Sequence, residues 1–378
     1  MFRHSLKSVV NLVAKFKLNL GGWRSAKKFL IIESDDWGSI RMPSLYVYES
    51  LLNNGIRVDR CHYNRYDSLA TSEDLDALFT VLTAHRDHLG NHPVLTANAV
   101  MANPDFDKIR ESGFRDYHFE PFTFTLSKYA GCNNSFMLWQ EGMRNGFFHP
   151  QFHGREHLNV NRWMNALRQG SIETLLAFQY GVFGISTTIT NEKRKSYLAA
   201  FDFDNVDEIN FHKNILKQGI DLFESLIAYK PLSFIAPNYI WHHELEPVLA
   251  ENGVKFIQGG SFQHEPTGKE YRHFTHSLGS HNENRLTYLN RNCTFEPSSD
   301  TSKNWVGSAL RDISVAFLLG KPAVITSHRV NFIGAIDASN RKENLESLNN
   351  LLKQVLLKWP DVEFVSSDQL GAYIESYS

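Results

Sequence analysis

Cysteine is scarce: the 378 residues contain three, Cys61, Cys132 and Cys293. They are odd in number, far apart and form no C-x-x-C pair. That argues against a disulfide framework and a thiolate zinc site, and points to a reducing compartment. No run of about eighteen apolar residues occurs, so no transmembrane helix is expected. Neither sign of charge is in excess, with 39 Lys and Arg against 41 Asp and Glu. A nucleic-acid partner, which calls for clustered basic side chains, is not expected. No internal repeat is evident. The length suits a single α/β barrel with insertions. Aromatic residues make up 13%, with 27 Phe, and the simplest reading is a Phe-rich core.

The even charge has one exception. Residues 1–28 carry Arg3, Lys7, Lys15, Lys17, Arg24, Lys27 and Lys28 and no acid. At helical spacing Phe2, Leu6, Val9, Val10, Val13, Phe16 and Leu20 share one face. Lys7, Asn11 and Lys15 interrupt the apolar stretch and make it a poor export signal. A basic amphipathic helix of this kind lies on an anionic membrane surface, or packs its stripe on its own domain. The chain is therefore divided into a basic amphipathic segment, 1–27, and one domain, 28–378. The expected location is cytoplasmic, with peripheral contact at the inner membrane face through residues 1–20.

Short apolar runs alternate with helical patterns. Strands are predicted at Lys28–Glu33, His92–Val100, Gly146–Phe152, Leu232–Ala236, Lys255–Gln258, Ala323–Thr326 and Val362–Val365. Long helices are predicted at Val206–Tyr229 and Asn344–Lys358. The alternation predicts an α/β fold, either a closed barrel or an open doubly wound sheet. The stretches near 187–204 and 259–299 read as insertions.

Polar residues gather where the predicted strands end: Asp35-Asp36-Trp37, His153 and His157, Pro237-Asn238-Tyr239, and His328-Arg329. In a parallel barrel these ends converge on one face. Two His four apart with an Asp offer the mixed nitrogen and oxygen shell of zinc or a similar divalent ion. A second Asp and a lone His suit proton transfer. His153–His157 also fits H-x-x-E-H with Glu156 as base, but that pattern needs a helix, and Pro150 and Gly154 favour a turn. A glycosidase using Asp35 and Asp36, or Glu156, is the alternative enzyme class.

The ordered set Asp35-Asp36, His153-x-x-x-His157, Pro237 after a strand, and His328 ending a late strand resembles the polysaccharide deacetylases of carbohydrate esterase family four. The resemblance implies a deformed (β/α) barrel and a divalent metal, usually zinc. It implies Asp36, His153 and His157 as ligands, Asp35 as general base and His328 as general acid. The substrate it implies is an N-acetylated sugar, with Trp37, Asn238, Tyr239 and Arg329 as candidate contacts and Trp241 as a further stacking candidate. The family places an arginine two residues before the proline, where it braces the base; this chain has Ile235 there, and Arg41 or Arg329 is expected to substitute. The family's Asp-Trp motif has no clear match. A carbohydrate-binding barrel that has lost its chemistry is the non-enzymatic alternative.

Overall fold

The computed structural model describes residues 13–377. The strands are β1 (Lys28–Trp37), β2 (Leu95–Val100), β3 (Ala102–Pro104), β4 (Phe119–Pro121), β5 (Phe148–Gly154), β6 (Ser233–Phe234), β7 (Phe256–Gly259), β8 (Phe262–Pro266), β9 (Tyr271–Thr275), β10 (Thr287–Asn290), β11 (Cys293–Thr294), β12 (Ala323–His328) and β13 (Val362–Phe364). One sheet runs in the order β10-β7-β6-β5-β2-β1-β12-β11, with β13 beside the start of β1. All its pairings are parallel. It curls into a deformed (β/α) barrel with helices around it.

The curl follows from how the two edges meet. Strand β10 ends at Asn290 and β11 begins at Cys293, yet they lie at opposite edges of the sheet. Only Arg291 and Asn292 span the seam. The Arg291 amide donates to Gly259 O on one side (2.8 Å) and the Asn292 amide to Val324 O on the other (3.1 Å). The Asn292 side chain adds bonds to the Val324 amide (2.9 Å) and Pro322 O (2.8 Å). A two-residue crossing thus closes the barrel.

Alternation along β1 sorts the core into two clusters, because successive side chains of a strand face opposite ways. Leu30 and Ile32 join the large cluster between sheet and helices, with Ala97, Phe152, Ile325, Leu348 and Leu352. Phe29 and Ile31 join Phe256, Leu289 and Val324, which come from strands across the curl and pack against Leu370 and Ile374 of the C-terminal helix Ser367–Ser376. The long helix predicted from Val206 spans Glu208–Ile227 and ends on Ala228 in the left-handed region, φ 67°. Residues 187–204 hold no helix or strand. The stretch 259–299, read as an insertion, contains the β8–β9 hairpin and two barrel strands, β10 and β11. Those strands are two to four residues long and lack an apolar run, so their periodicity is silent. Residues 13–18 are helical; residues 1–12, which carry most of the predicted amphipathic face, lie outside the described residues.

Candidate active site

Two β-bulges build the centre. Along β1 and β2, Ser34 faces Ala97 while Trp37 faces Ala99, so β1 carries one extra residue. Asp36 absorbs it with φ 74°, a left-handed value that costs a non-glycine residue free energy and clusters at functional sites. Adjacent carboxylates on a regular strand would diverge; the bulge re-aims one so that Asp35 and Asp36 share a site. Strand β5 repeats the device: Phe152 faces Ala99 and Gly154 faces Val100, leaving His153 as the extra residue. Gly154 follows at φ 120°, where a side chain is strained. The chain then turns through 155–158 as irregular loop. His153 and His157 therefore do not sit on a helix, which removes the H-x-x-E-H peptidase reading. Glu156 points elsewhere, accepting from Arg155 Nε (2.7 Å) and the Tyr117 hydroxyl (3.0 Å).

Asp36, His153 and His157 offer ligand atoms within 4.8 Å of one another, all buried. Asp36 Oδ1 lies 3.6 Å from His153 Nε2 and 3.3 Å from His157 Nε2. His153 Nδ1 bonds Ile235 O at 2.9 Å. A carbonyl can only accept, so Nδ1 donates to it and Nε2 is the nitrogen turned toward Asp36 and His157. That Nε2 is buried with no hydrogen-bond partner among the described residues. Burial pushes the His157 pKa down to about 3, so it is the neutral, ligating form. Burial works against the Asp36 carboxylate, but Arg41 foremost outweighs it and holds the pKa well below the usual range. A buried, bare imidazole nitrogen converging with an ionised carboxylate and a second neutral imidazole fits a divalent cation.

Asp35 stands beside this group in a full cage. Arg291 Nη1 and Nη2 bond its two oxygens at 2.7 and 2.6 Å, and Asn98 Nδ2 donates at 2.8 Å. The Arg291 Nε bonds Glu33, two residues back on the same face of β1. Burial raises the Asp35 pKa, yet Arg291 overrides it and keeps the carboxyl far below its ordinary value. Across the site, His328 Nε2 is 3.8 Å from Asp35 Oδ2 and its Nδ1 bonds Glu296 Oε1 at 2.5 Å. Burial alone would lower the His328 pKa; Glu296, then Asp35 and Asp36, bring it up to about 9. Glu296 is itself fixed by Asn331 Nδ2 at 2.7 Å.

Several sequence expectations are corrected. Arg41 bonds Asp36 (2.9 Å), not Asp35. Arg329 is fully buried, gripping Asp67 (3.0 Å twice) and Ser39 O (2.8 Å), so it neither braces the base nor contacts substrate. Trp37 is 1% exposed and packs edge-on against Trp139 and Phe148; Trp241 is 3% exposed and bonds Glu246. Neither ring is available to stack on a sugar. Tyr239 is half-buried with its hydroxyl 3.2 Å from Arg291 Nη1, and Asn238 is exposed; both adopt left-handed backbone, φ 59° and 57° for Asn238 and Tyr239.

Sequence reasoning missed Arg291, Glu296 and Asn98. One signal was present: Glu33 and Asp35 alternate onto one face of a buried strand and demand a buried cation. Which arginine supplied it was not readable. A cavity of about 1060 Å³ borders the site through Arg291 and Thr326, and runs along the seam to Lys15, Phe262 and Lys321.

No protein-family model matches the sequence, and no curated protein matches it. Solved structures do. One from Parabacteroides distasonis, described as a glycoside hydrolase/deacetylase, covers 96% of this chain and 73% of its own at 8% identity and TM-score 0.52. One from Mycobacterium smegmatis, described as a polysaccharide deacetylase, covers 94% and 93% at 11% identity and TM-score 0.45. One from Pseudomonas aeruginosa, also described as a polysaccharide deacetylase, covers 93% and 92% at 11% identity and TM-score 0.43. At such identity the likeness is one of architecture, and the chain carries the deformed (β/α)-barrel fold of the deacetylase type.

Proposed function

We propose that this protein is a divalent-metal-dependent hydrolase that removes the acetyl group from an N-acetylated sugar. One observation carries the reading: the bare, buried His153 Nε2 converges with Asp36 and His157, while a caged carboxylate and a protonated histidine flank the same point. Asp36, His153 and His157 would hold the ion, and the donor set suits zinc. A divalent ion bound there supplies a Lewis acid that polarises an amide carbonyl and acidifies water.

The chain's own residues do the rest. Asp35, held by Arg291 and Asn98, takes a proton from the attacking water. Its fixed position removes a search in geometry. His328, kept charged by Glu296, gives a proton to the departing amine. The Asn238 backbone N–H, on the loop that follows β6, is the donor proposed for the oxyanion. Arg41 holds Asp36 in its strained conformation.

The location follows a separate argument: residues 1–20 would bring the enzyme to an anionic membrane surface, where a lipid-linked or surface-polysaccharide precursor is the substrate. Its support is the all-basic amphipathic start. The test of the activity is metal analysis of the purified protein with a screen for acetate release from N-acetylhexosamine compounds. Acetate release that His153→Ala abolishes together with the metal supports the reading; metal-free protein, or turnover that survives that variant, refutes it.

A further inference from the structure

A second group of potential ligands lies outside the site described. His242 and His243 follow directly on the loop that carries Asn238 and Tyr239, and Glu265 lies on β8 of the adjoining hairpin. Their ligand atoms fall within 4.8 Å of one another. The two imidazole rings are 4.3 Å apart. Glu265 is 2% exposed, and burying an ionised carboxylate is costly unless a cation or a full set of donors compensates it. Its partners among the described residues are the His243 amide (3.2 Å) and His243 Nδ1 (2.8 Å), both on one oxygen. Among the described residues no lysine or arginine pairs with it. His243 itself is exposed, its side chain at 62%. The cluster therefore has a buried carboxylate, two imidazoles beside it and an open side to solvent at His243.

We infer that His242, His243 and Glu265 form a second divalent-cation site, selective for zinc-like ions over calcium or magnesium because two of its three donors are imidazoles. An ion seated there takes the place of the proton that His243 Nδ1 shares with Glu265, and that proton leaves to solvent. It supplies the positive charge that the buried carboxylate lacks. Its structural effect is to pin the loop after β6 to the β8–β9 hairpin. Two contacts already join these pieces, a bridge between Ile240 and His264 and a bond from Gln263 Nε2 to Trp241 O (3.0 Å). The neighbouring pair His264 and His273, Nδ1 to Nδ1 2.8 Å, is a cross-strand pair displaced by one residue from Glu265, so it faces the other side of the hairpin.

The test uses the full-length protein stripped with chelator and titrated with Zn²⁺ by calorimetry and with Co²⁺ by its visible absorption. His243→Ala should lower the stoichiometry by one equivalent, both in the wild-type background and in His153→Ala. In His153→Ala, Zn²⁺ should raise the melting temperature by a few degrees, and adding His243→Ala should abolish that rise. Because His243 is exposed, its variant keeps the fold; Glu265→Gln, checked by circular dichroism, is the second variant and should give the same loss. An unchanged stoichiometry in His243→Ala overturns the inference. So does a loss seen in His273→Ala instead, which would place the ion on the opposite face of the hairpin.

Discussion

Arg291 grips Asp35 by both terminal nitrogens, at 2.6 and 2.7 Å, and it does so from the two-residue crossing that closes the barrel. Removing the guanidinium leaves Glu33 and Asp35 buried without their cation. Breaking a buried pair in this way costs about 3–5 kcal/mol. Arg291→Gln should therefore lower stability by that order in urea unfolding and depress turnover. A variant as stable as the parent would show that the pair is not buried as described.

Asp35 and Asp36 should separate cleanly. Asp36→Asn should lose the ion. Asp35→Asn should keep it and lose about 10²–10⁴-fold in turnover, the usual contribution of one proton-transfer group. Metal content by mass spectrometry alongside acetate release decides the matter: if both variants lose the ion equally, Asp35 is a ligand and the division of labour is wrong.

Glu296 positions His328 and keeps it charged. With its pKa raised to about 9, His328 is protonated at neutral pH and loses its proton as pH rises through that value. The alkaline limb of kcat/KM should report this loss. Glu296→Gln should move the limb to lower pH while leaving metal content alone. A limb that stays in place assigns it to another group.

His212 offers a pH test remote from the chemistry. It is buried among Phe201, Phe203 and Phe211, and burial lowers its pKa to about 4. In the unfolded chain it titrates near 6.5. The unfolded state then binds the extra proton between these values, so this stability is fully present above about pH 6.5 and is lost as pH falls to about 4. The shift corresponds to about 3 kcal/mol. His212→Leu should flatten the pH dependence of unfolding free energy across that window. His276, also lowered to about 4, titrates in the same range and leaves a residual slope.

The membrane proposal has its own measurement. Val13 and Leu20 are 61% and 58% exposed, whereas Lys15 is already committed to Asp312 (2.8 Å) and Asn292 O (2.9 Å). Flotation with anionic liposomes should carry full-length protein and leave behind a chain lacking residues 1–20. Equal flotation of both, or of neither, removes the claim.

The long strands and the polar residues at their ends were legible because β1, β2, β5 and β12 are buried runs of six to ten residues. The bulges were not. A strand with one extra residue reads like any other, and it is the bulge at Asp36 that decides where adjacent carboxylates point. Trp37 misled for a related reason: an aromatic beside two acids looks like part of a site, but the next position on a strand faces the opposite layer. Arg291 was invisible because the strands around it are too short to carry a pattern, and its partners lie more than 250 residues away.

The seam gives the protein an interlock. Arg291 and Asn292 are the clasp of the barrel, and the clasp also carries the group that holds Asp35. Opening the wall at this crossing would withdraw that guanidinium in the same movement, so the integrity of the barrel and the cage around Asp35 stand or fall together. Amide exchange at Arg291 and Asn292 then counts, in one number, how often the wall opens and how often Asp35 is let go.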